Sequence, residues 1–369
     1  MAMLDAGAFY GHYHGHPLEQ LRVLVTELRA RDPLRPIVWL VGDSTLDNKA
    51  WVADAAALRA CRGYERVLRP PRCAPDVAAW LNELLQHAGQ PPQALVAVNA
   101  AVEESTLGGR RGGRRLLPHD ELVREHLRPH DVIVASLGGN DIALAPSLAT
   151  IASMASLAHV ASDASIDAGT ACGLAHLVGM FRDDTRRYLK ALCARALPRM
   201  VIACMVYAPH EAPEPSWAGP ALAALRYNAA PARLQRVIRR VYAAGTCGVR
   251  VAGVGAVVPC PLFDVLDPSP ASRDYVARVE PSAIGGRKLA AAFLRIILGA
   301  AGAGAAEAAG AEESAAPPLD AQGGGGGGGC AEGDEAAAPG GAAAARSAPA
   351  DADVGAPSGP AHPAGAATR

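Results

Sequence analysis

The sequence predicts an α/β protein of three layers, with a central, mostly parallel five-stranded sheet between two layers of helices. Three observations carry that prediction. Short apolar runs recur without polar alternation, segments of helical periodicity separate them, and small polar segments follow several runs directly. A strand covered on both faces reads as a continuous apolar run. Such strands alternating with amphipathic helices build a parallel sheet with helices on both sides.

Taken in order, Leu18 to Arg29 carries Leu21, Val25 and Leu28 at helical spacing, and Pro33 and Pro36 stop it. The run from Pro36 to Val41 is the first strand and ends at Gly42. A helix over Asp76 to His87 presents Val77, Trp80, Leu81, Leu84 and Leu85, and Ala94 to Val98 is the second strand. Glu121 to Leu127 is a short helix, followed by a third strand over Asp131 to Leu137. One long helix is predicted from Thr170 to Leu197, where Pro198 ends it, and Met200 to Val206 is the fourth strand. Leu222 to Ala243 reads as helical with a kink or restart at Pro231. Val249 to Val254 is predicted as the fifth strand, and an amphipathic helix over Ala283 to Leu298 closes the domain.

Composition divides the 369 residues into an N-terminal arm and helix (1–35), the α/β domain (36–299) and a disordered tail (300–369). Beyond Leu298 the chain is Ala, Gly and Pro, with seven consecutive glycines from Gly323 to Gly329 and almost no large aliphatic residues. Such a segment buries too little apolar surface to offset the entropy of ordering it, roughly 1–2 kcal/mol per residue. The 35 basic residues balance 36 acidic ones, so net charge gives no reason to expect nucleic acid as a partner. No stretch offers the roughly 18 apolar residues of a membrane span. Met1 to His16 lacks the pattern of a secretory leader, and the eight cysteines are scattered without a C-x-x-C pair. A cytoplasmic location is therefore expected, with no cofactor and no metal. His12, His14 and His16 alternate, but no second ligand group stands near them in sequence, so they read as a solvated arm.

In open parallel sheets the ligand site lies beyond the C-terminal ends of the strands. Gly42-Asp43-Ser44 follows the first strand, Asn99-Ala100-Ala101 the second, and Gly138-Gly139-Asn140-Asp141 the third. One such tripeptide recurs by chance; three in this order at strand ends do not. The chain resembles the SGNH hydrolases, the GDSL-type esterases and lipases, over roughly residues 36–299. The resemblance implies a flavodoxin-like sheet, a Ser44 nucleophile, and hydrolysis of a small-molecule ester or other O-acyl substrate. It further implies an oxyanion hole made by the Ser44 N–H, the Ala101 N–H and the Asn140 side chain. Ala101 stands where the family has glycine, and alanine keeps the N–H. The family's C-terminal D-x-x-H falls on Ala277 and Glu280, with Asp274 three residues too early.

No histidine occurs between His210 and His362, which leaves three readings of the general base. Glu280 takes the Ser44 proton, provided burial raises its pKa from about 4.3 toward neutrality. Alternatively His210, after the fourth strand, serves. Failing both, the fold is catalytically impaired and binds an acyl or carbohydrate ligand. Among the other polar residues, Asp43 reads as a turn holder, and Glu103 and Glu104 as pocket or surface acids. Arg110, Arg111, Arg114 and Arg115 read as a solvated basic loop, while Trp51 and Trp217 are candidate pocket liners.

Overall fold

The computed structural model describes residues 3–52, 59–88 and 95–314. Among these, five parallel strands form the central sheet: β1 (Ile37–Gly42), β2 (Val96–Asn99), β3 (Val132–Ser136), β4 (Met200–Met205) and β5 (Ala256–Pro261). Their order is β2-β1-β3-β4-β5, and every neighbouring pair is parallel. The chain leaves β1 toward β2 and then crosses back to β3, so β1 and β3 flank the point where winding reverses. Crevices at such switch points are where doubly wound sheets bind ligands.

Side-chain alternation along the strands supplies two cores. Ile37, Trp39, Val41, Ile133, Val201 and Ala203 face one layer, which holds helices Leu18–Arg31, Pro118–His126, Thr185–Leu192 and Pro231–Ala244. Val38, Leu40, Val132, Val134 and Ile202 face the other, packed on helices Val77–His87 and Ala283–Ser314. The three-layer prediction therefore holds. The break at Pro231 holds as well: the proline opens its helix at the first position, where a missing N–H costs nothing.

Three element predictions need correction. The fifth strand is Ala256–Pro261, not Val249–Val254. β5 pairs only with β4, and an edge strand tolerates Pro259 and Pro261, which a central strand would not. The long helix over Thr170–Leu197 is interrupted. Gly173 (φ +95°) precedes Leu174–Gly179, a π-helical turn follows over Met180–Asp184, and Thr185–Leu192 completes the run. Helices Leu148–His159 and Asp163–Ala168 occupy a stretch that showed no clear period, and the cap of the first is Ser147 accepting from the Thr150 N–H at 3.1 Å. The C-terminal helix continues past Leu298 to Ser314, while the remaining predicted tail lies outside the described residues. No described helix is long and apolar enough to cross a membrane.

One buried carboxylate organises the start of the sheet. Asp131, fully buried before β3, accepts from Arg29 Nη2 at 2.8 and 2.6 Å, from the Ile37 and Arg128 N–H groups at 2.8 and 2.9 Å, and from Trp39 Nε1 at 3.1 Å. Removing one member of a buried pair strands the other charge. Asp131→Ala is therefore expected to cost about 3–5 kcal/mol in urea unfolding, with Arg29 left uncompensated.

Candidate active site

The turn after β1 begins with a contact only glycine permits. Gly42 has φ +141°, and a Cβ there would lie 1.8 Å from the Ser136 carbonyl oxygen. The Asp43 N–H then donates to Ser136 O at 3.1 Å, and the Leu46 and Asp47 N–H groups return to Asp43 O, both at 3.1 Å. Asp43 Oδ1 accepts from the Thr45 N–H at 3.0 Å, so Asp43 holds the turn. Burial pushes the Asp43 pKa up to about 6, against the Thr45 hydrogen bonds that favour its ionised form. Ser44 stands half-buried at the tip, and its N–H makes no hydrogen bond among the described residues.

Beyond β3, Gly138 (φ +109°) turns the chain directly under the Phe181 ring and leads into the short helix Gly139–Ala143. Asn140 is buried, and its Nδ2 donates one hydrogen to Ser105 O at 3.1 Å. An amide nitrogen carries two, so one remains. Asp141 accepts from the Leu107 and Gly108 N–H groups, both at 2.8 Å, and so ties this loop to the segment after β2.

Glu280 enters from a tight hairpin in which Val276 pairs with Glu280. Ala277 (φ 47°) and Arg278 (φ 68°) both adopt left-handed backbone, costly for residues with a Cβ. Arg278 fastens the bend: Nε donates to His210 O at 3.1 Å, Nη1 donates to Asn228 Oδ1 at 2.9 Å, and its carbonyl accepts the His210 N–H at 2.8 Å. The Tyr207 hydroxyl donates to Val279 O. Glu280 is only 2% exposed, and Oε1 accepts from Trp217 Nε1 at 3.0 Å. Oε2 is buried without a completed hydrogen bond. The nearby Ser44 hydroxyl favours the charged form, as does Trp217, but burial outweighs both and, with Asp43 and Glu103 adding repulsion, raises the pKa to about 8.

Ser44, Asn140 and Glu280 line one cavity of about 730 Å³, counting its open mouth. Its remaining wall is largely apolar, from Ile142, Val206, Leu222, Leu225 and Ile238. The serine, amide and carboxyl named from the sequence thus meet at one place. Ala101 does not join them. It is fully buried, is absent from the cavity wall, and its N–H donates to Asn99 Oδ1 at 3.0 Å, so that donor is already engaged. Two donors without a partner among the described residues remain near Ser44, its own N–H and the second Asn140 hydrogen.

His210 is likewise placed elsewhere. Its Nε2 meets Ser269 O at 3.0 Å, its ring stacks on Tyr275, and it lines no part of the cavity. Asp274 accepts from the Asp267 N–H at 2.9 Å and Lys288 Nζ at 2.7 Å, which is a structural use. His362 lies outside the described residues. The basic loop divides: Arg111, Arg114 and Arg115 are exposed, but Arg110 is fully buried against Asp120 at 2.8 Å. His12 and His14 are exposed, whereas His16 is buried and stacks on Phe9 with ring centroids 4.0 Å apart, so the arm is docked at that end. No sequence signal marks Arg278 as an anchor. Lys49 was also overlooked, though it bonds Asp47 and Glu103 at 2.6 Å each, and a lysine beside an aspartate in a glycine-led turn is the one hint.

Among solved structures, the chain is similar to several ester hydrolases. An extracellular lipase from Streptomyces rimosus is 14% identical, with 70% of this chain and 98% of that chain covered and a TM-score of 0.34. An acetylxylan esterase from Geobacillus stearothermophilus is 16% identical over 70% and 93%, with a TM-score of 0.33. A phospholipase A1 from Streptomyces albidoflavus is 14% identical over 68% and 94%, with a TM-score of 0.30. No protein-family model matches the chain, and no curated protein does. At TM-scores this low, what defines the site is the strand order and the side-chain geometry described above.

The Glu280 carboxyl keeps its proton to about pH 8 in the folded chain but loses it near 4.5 when unfolded. Between those values the unfolded state binds fewer protons, so this group's contribution to stability falls as pH rises. Glu280→Gln, neutral at every pH, is expected to stabilise the protein by about 2–4 kcal/mol at pH 8 and by little at pH 4.5, read from urea unfolding at the two pH values.

Proposed function

We propose that the protein is a serine hydrolase of carboxylic esters in which Ser44 is the nucleophile and Glu280 is the general base. The observation that supports it most is that Ser44 and Glu280 line the same apolar cavity, with the Glu280 carboxyl close enough to feel the Ser44 hydroxyl and its Oε2 buried without a hydrogen bond. An ordinary carboxylate is a weak base for serine. One raised to about 8 is matched to the task, because the group that takes the proton must later return it.

In the first half-reaction Ser44 Oγ attacks the ester carbonyl carbon as its proton passes to Glu280 Oε2. The carbonyl oxygen becomes an oxyanion that accepts from the Ser44 N–H and from Asn140 Nδ2. When the tetrahedral species collapses, the bond to the alcohol oxygen breaks and Glu280 protonates that leaving group. Water then repeats the sequence on the acyl-serine and releases the carboxylic acid. Trp217 takes the orienting role an aspartate has beside a histidine, since its hydrogen bond occupies Oε1 and leaves Oε2 to take the proton. The acyl part occupies the apolar wall.

With p-nitrophenyl acetate, kcat/KM is expected to rise with pH as Glu280 loses its proton, with a midpoint of about 8. Ser44→Ala and Glu280→Gln should each reduce it to background, and Glu280→His should retain activity with a midpoint shifted toward that of imidazole. A fluorophosphonate should label wild-type Ser44 at pH 9. Absence of labelling there would leave only a binding role for the cavity, and equal rates for wild type and Glu280→Gln would remove Glu280 from the mechanism. Asn140→Ala removes one oxyanion donor and is expected to lower kcat by about 10²–10³ with little change in KM.

A further inference from the structure

A second polar constellation lies beside the nucleophile turn, and ester hydrolysis does not use it. His16 comes from the N-terminal segment, Asp47 from the end of the turn that begins at Gly42, and Asp76 from the N-cap of helix Val77–His87. All three are buried, and one ligand-capable atom of each lies within 4.8 Å of the others. Among the described residues no pair of the three shares a direct hydrogen bond, so the space between them is bounded by acceptors that do not satisfy one another.

Each residue already has a partner that orients it; His16 and Asp76 each leave one ligand atom over, and Asp47, with a donor on each oxygen, keeps a second lone pair on each. His16 Nδ1 meets the Phe9 carbonyl at 2.8 Å; a carbonyl only accepts, so Nδ1 carries the proton and Nε2 keeps a lone pair. That is the arrangement in which a histidine ligand is held by a backbone carbonyl behind it. Asp76 Oδ1 caps its helix by accepting from the Ala79 N–H at 2.7 Å, and Oδ2 is fully buried with no hydrogen bond. Asp47 Oδ1 accepts from Asn99 Nδ2 at 3.0 Å, and Oδ2 accepts from Lys49 Nζ at 2.6 Å.

Charge decides what the space holds. Lys49 Nζ bonds Asp47 and also Glu103 Oε1, so two carboxylates share one ammonium, and Asp76 beside them has no cation bonded to it among the described residues. A water molecule would bridge the acceptors but leave that excess in place, and uncompensated buried charge is costly. A divalent cation meets both needs. We propose that His16, Asp47 and Asp76 bind one divalent cation of the class that takes mixed imidazole and carboxylate ligands, zinc or manganese. Lys49 stays outside the ligand set and compensates Glu103. The ion ties the N-terminal segment to the nucleophile turn and to a helix of the opposite layer, a structural role independent of the ester-hydrolase reading.

Because the ligands are buried, the ion must be removed and restored through refolding. The full-length chain is unfolded in guanidinium, refolded with EDTA, and compared with chain refolded with one equivalent of Zn²⁺ or Mn²⁺, with metal content measured by mass spectrometry. One bound ion per chain is expected, with a Tm about 5 °C above that of the EDTA-refolded protein. Asp76→Asn keeps an oxygen for the Ala79 cap but loses the charge, and His16→Gln loses the imidazole. Both should lose the metal and the metal-dependent rise in Tm. If neither ion binds and Tm is the same with metal and with EDTA, the proposal is wrong, and that comparison on the wild-type chain stands even if a variant does not fold.

Discussion

The approach of Gly42 to Ser136 fixes the geometry of the whole catalytic end of the sheet. With no Cβ in the way, the last residue of β1 lies against β3 and its own carbonyl is left pointing at the loop that follows β2. Three donors converge on that oxygen: the Val102 N–H at 3.0 Å, Ser105 Oγ at 2.8 Å and Arg110 Nη2 at 3.5 Å. Ser105 in turn offers its carbonyl to Asn140. The Ser44 turn, the segment after β2 and the Asn140 loop after β3 are thus locked to one backbone position. Ser44 and Asn140 cannot drift apart unless this junction opens.

Glutamate at the position where the resemblance implies histidine is a change of chemistry that the surroundings absorb. In water the two groups differ by about two pKa units in the wrong direction for a base that must later act as an acid. Here the apolar wall and the negative field of Asp43 and Glu103 destabilise the carboxylate, while Trp217 keeps one oxygen satisfied. The balance carries the carboxyl past the imidazole range to about 8. Environment, not residue type, sets the proton affinity, and the orienting carboxylate that a histidine needs is no longer required. Ala277 stands where the resemblance implies aspartate, and a carboxylate there would add repulsion to a group already hard to ionise.

How much of this was legible in the sequence follows from which interactions are local. β1 to β4 showed themselves because they are covered on both faces and, apart from Asn99 and Ser136 at their ends, carry only apolar side chains. β5 did not, because it is an edge strand, half-covered and broken by prolines, while the more apolar Val249–Val254 merely packs beneath it. Ser44 and Asn140 stood out because a glycine turn after a buried strand is a local pattern. The Ala101 N–H was misassigned because its direction depends on where the Asn99 side chain turns, and that is set by Leu46 and Asp47. The Glu280 pKa was beyond reach for the same reason, since Trp217, Asp43 and Glu103 come from three separate segments.

The hairpin that carries Glu280 shows what such a site demands of its frame. A carboxyl that resists ionisation pulls away from its pocket as pH rises, because exposure to water is the easiest way to accept the charge. Two left-handed residues without glycine add backbone strain at the same place. The opposing forces are specific: Arg278 is bonded on both sides of the bend, Tyr207 holds Val279, and Asn48 Nδ2 holds Pro281 O at 2.9 Å from the far end of the nucleophile turn. That last bond joins the Ser44 segment directly to the Glu280 segment. Glu280 is thereby held in its pocket from both ends of its segment, and in the proposed mechanism it answers a change of charge by proton transfer rather than by movement away from Ser44.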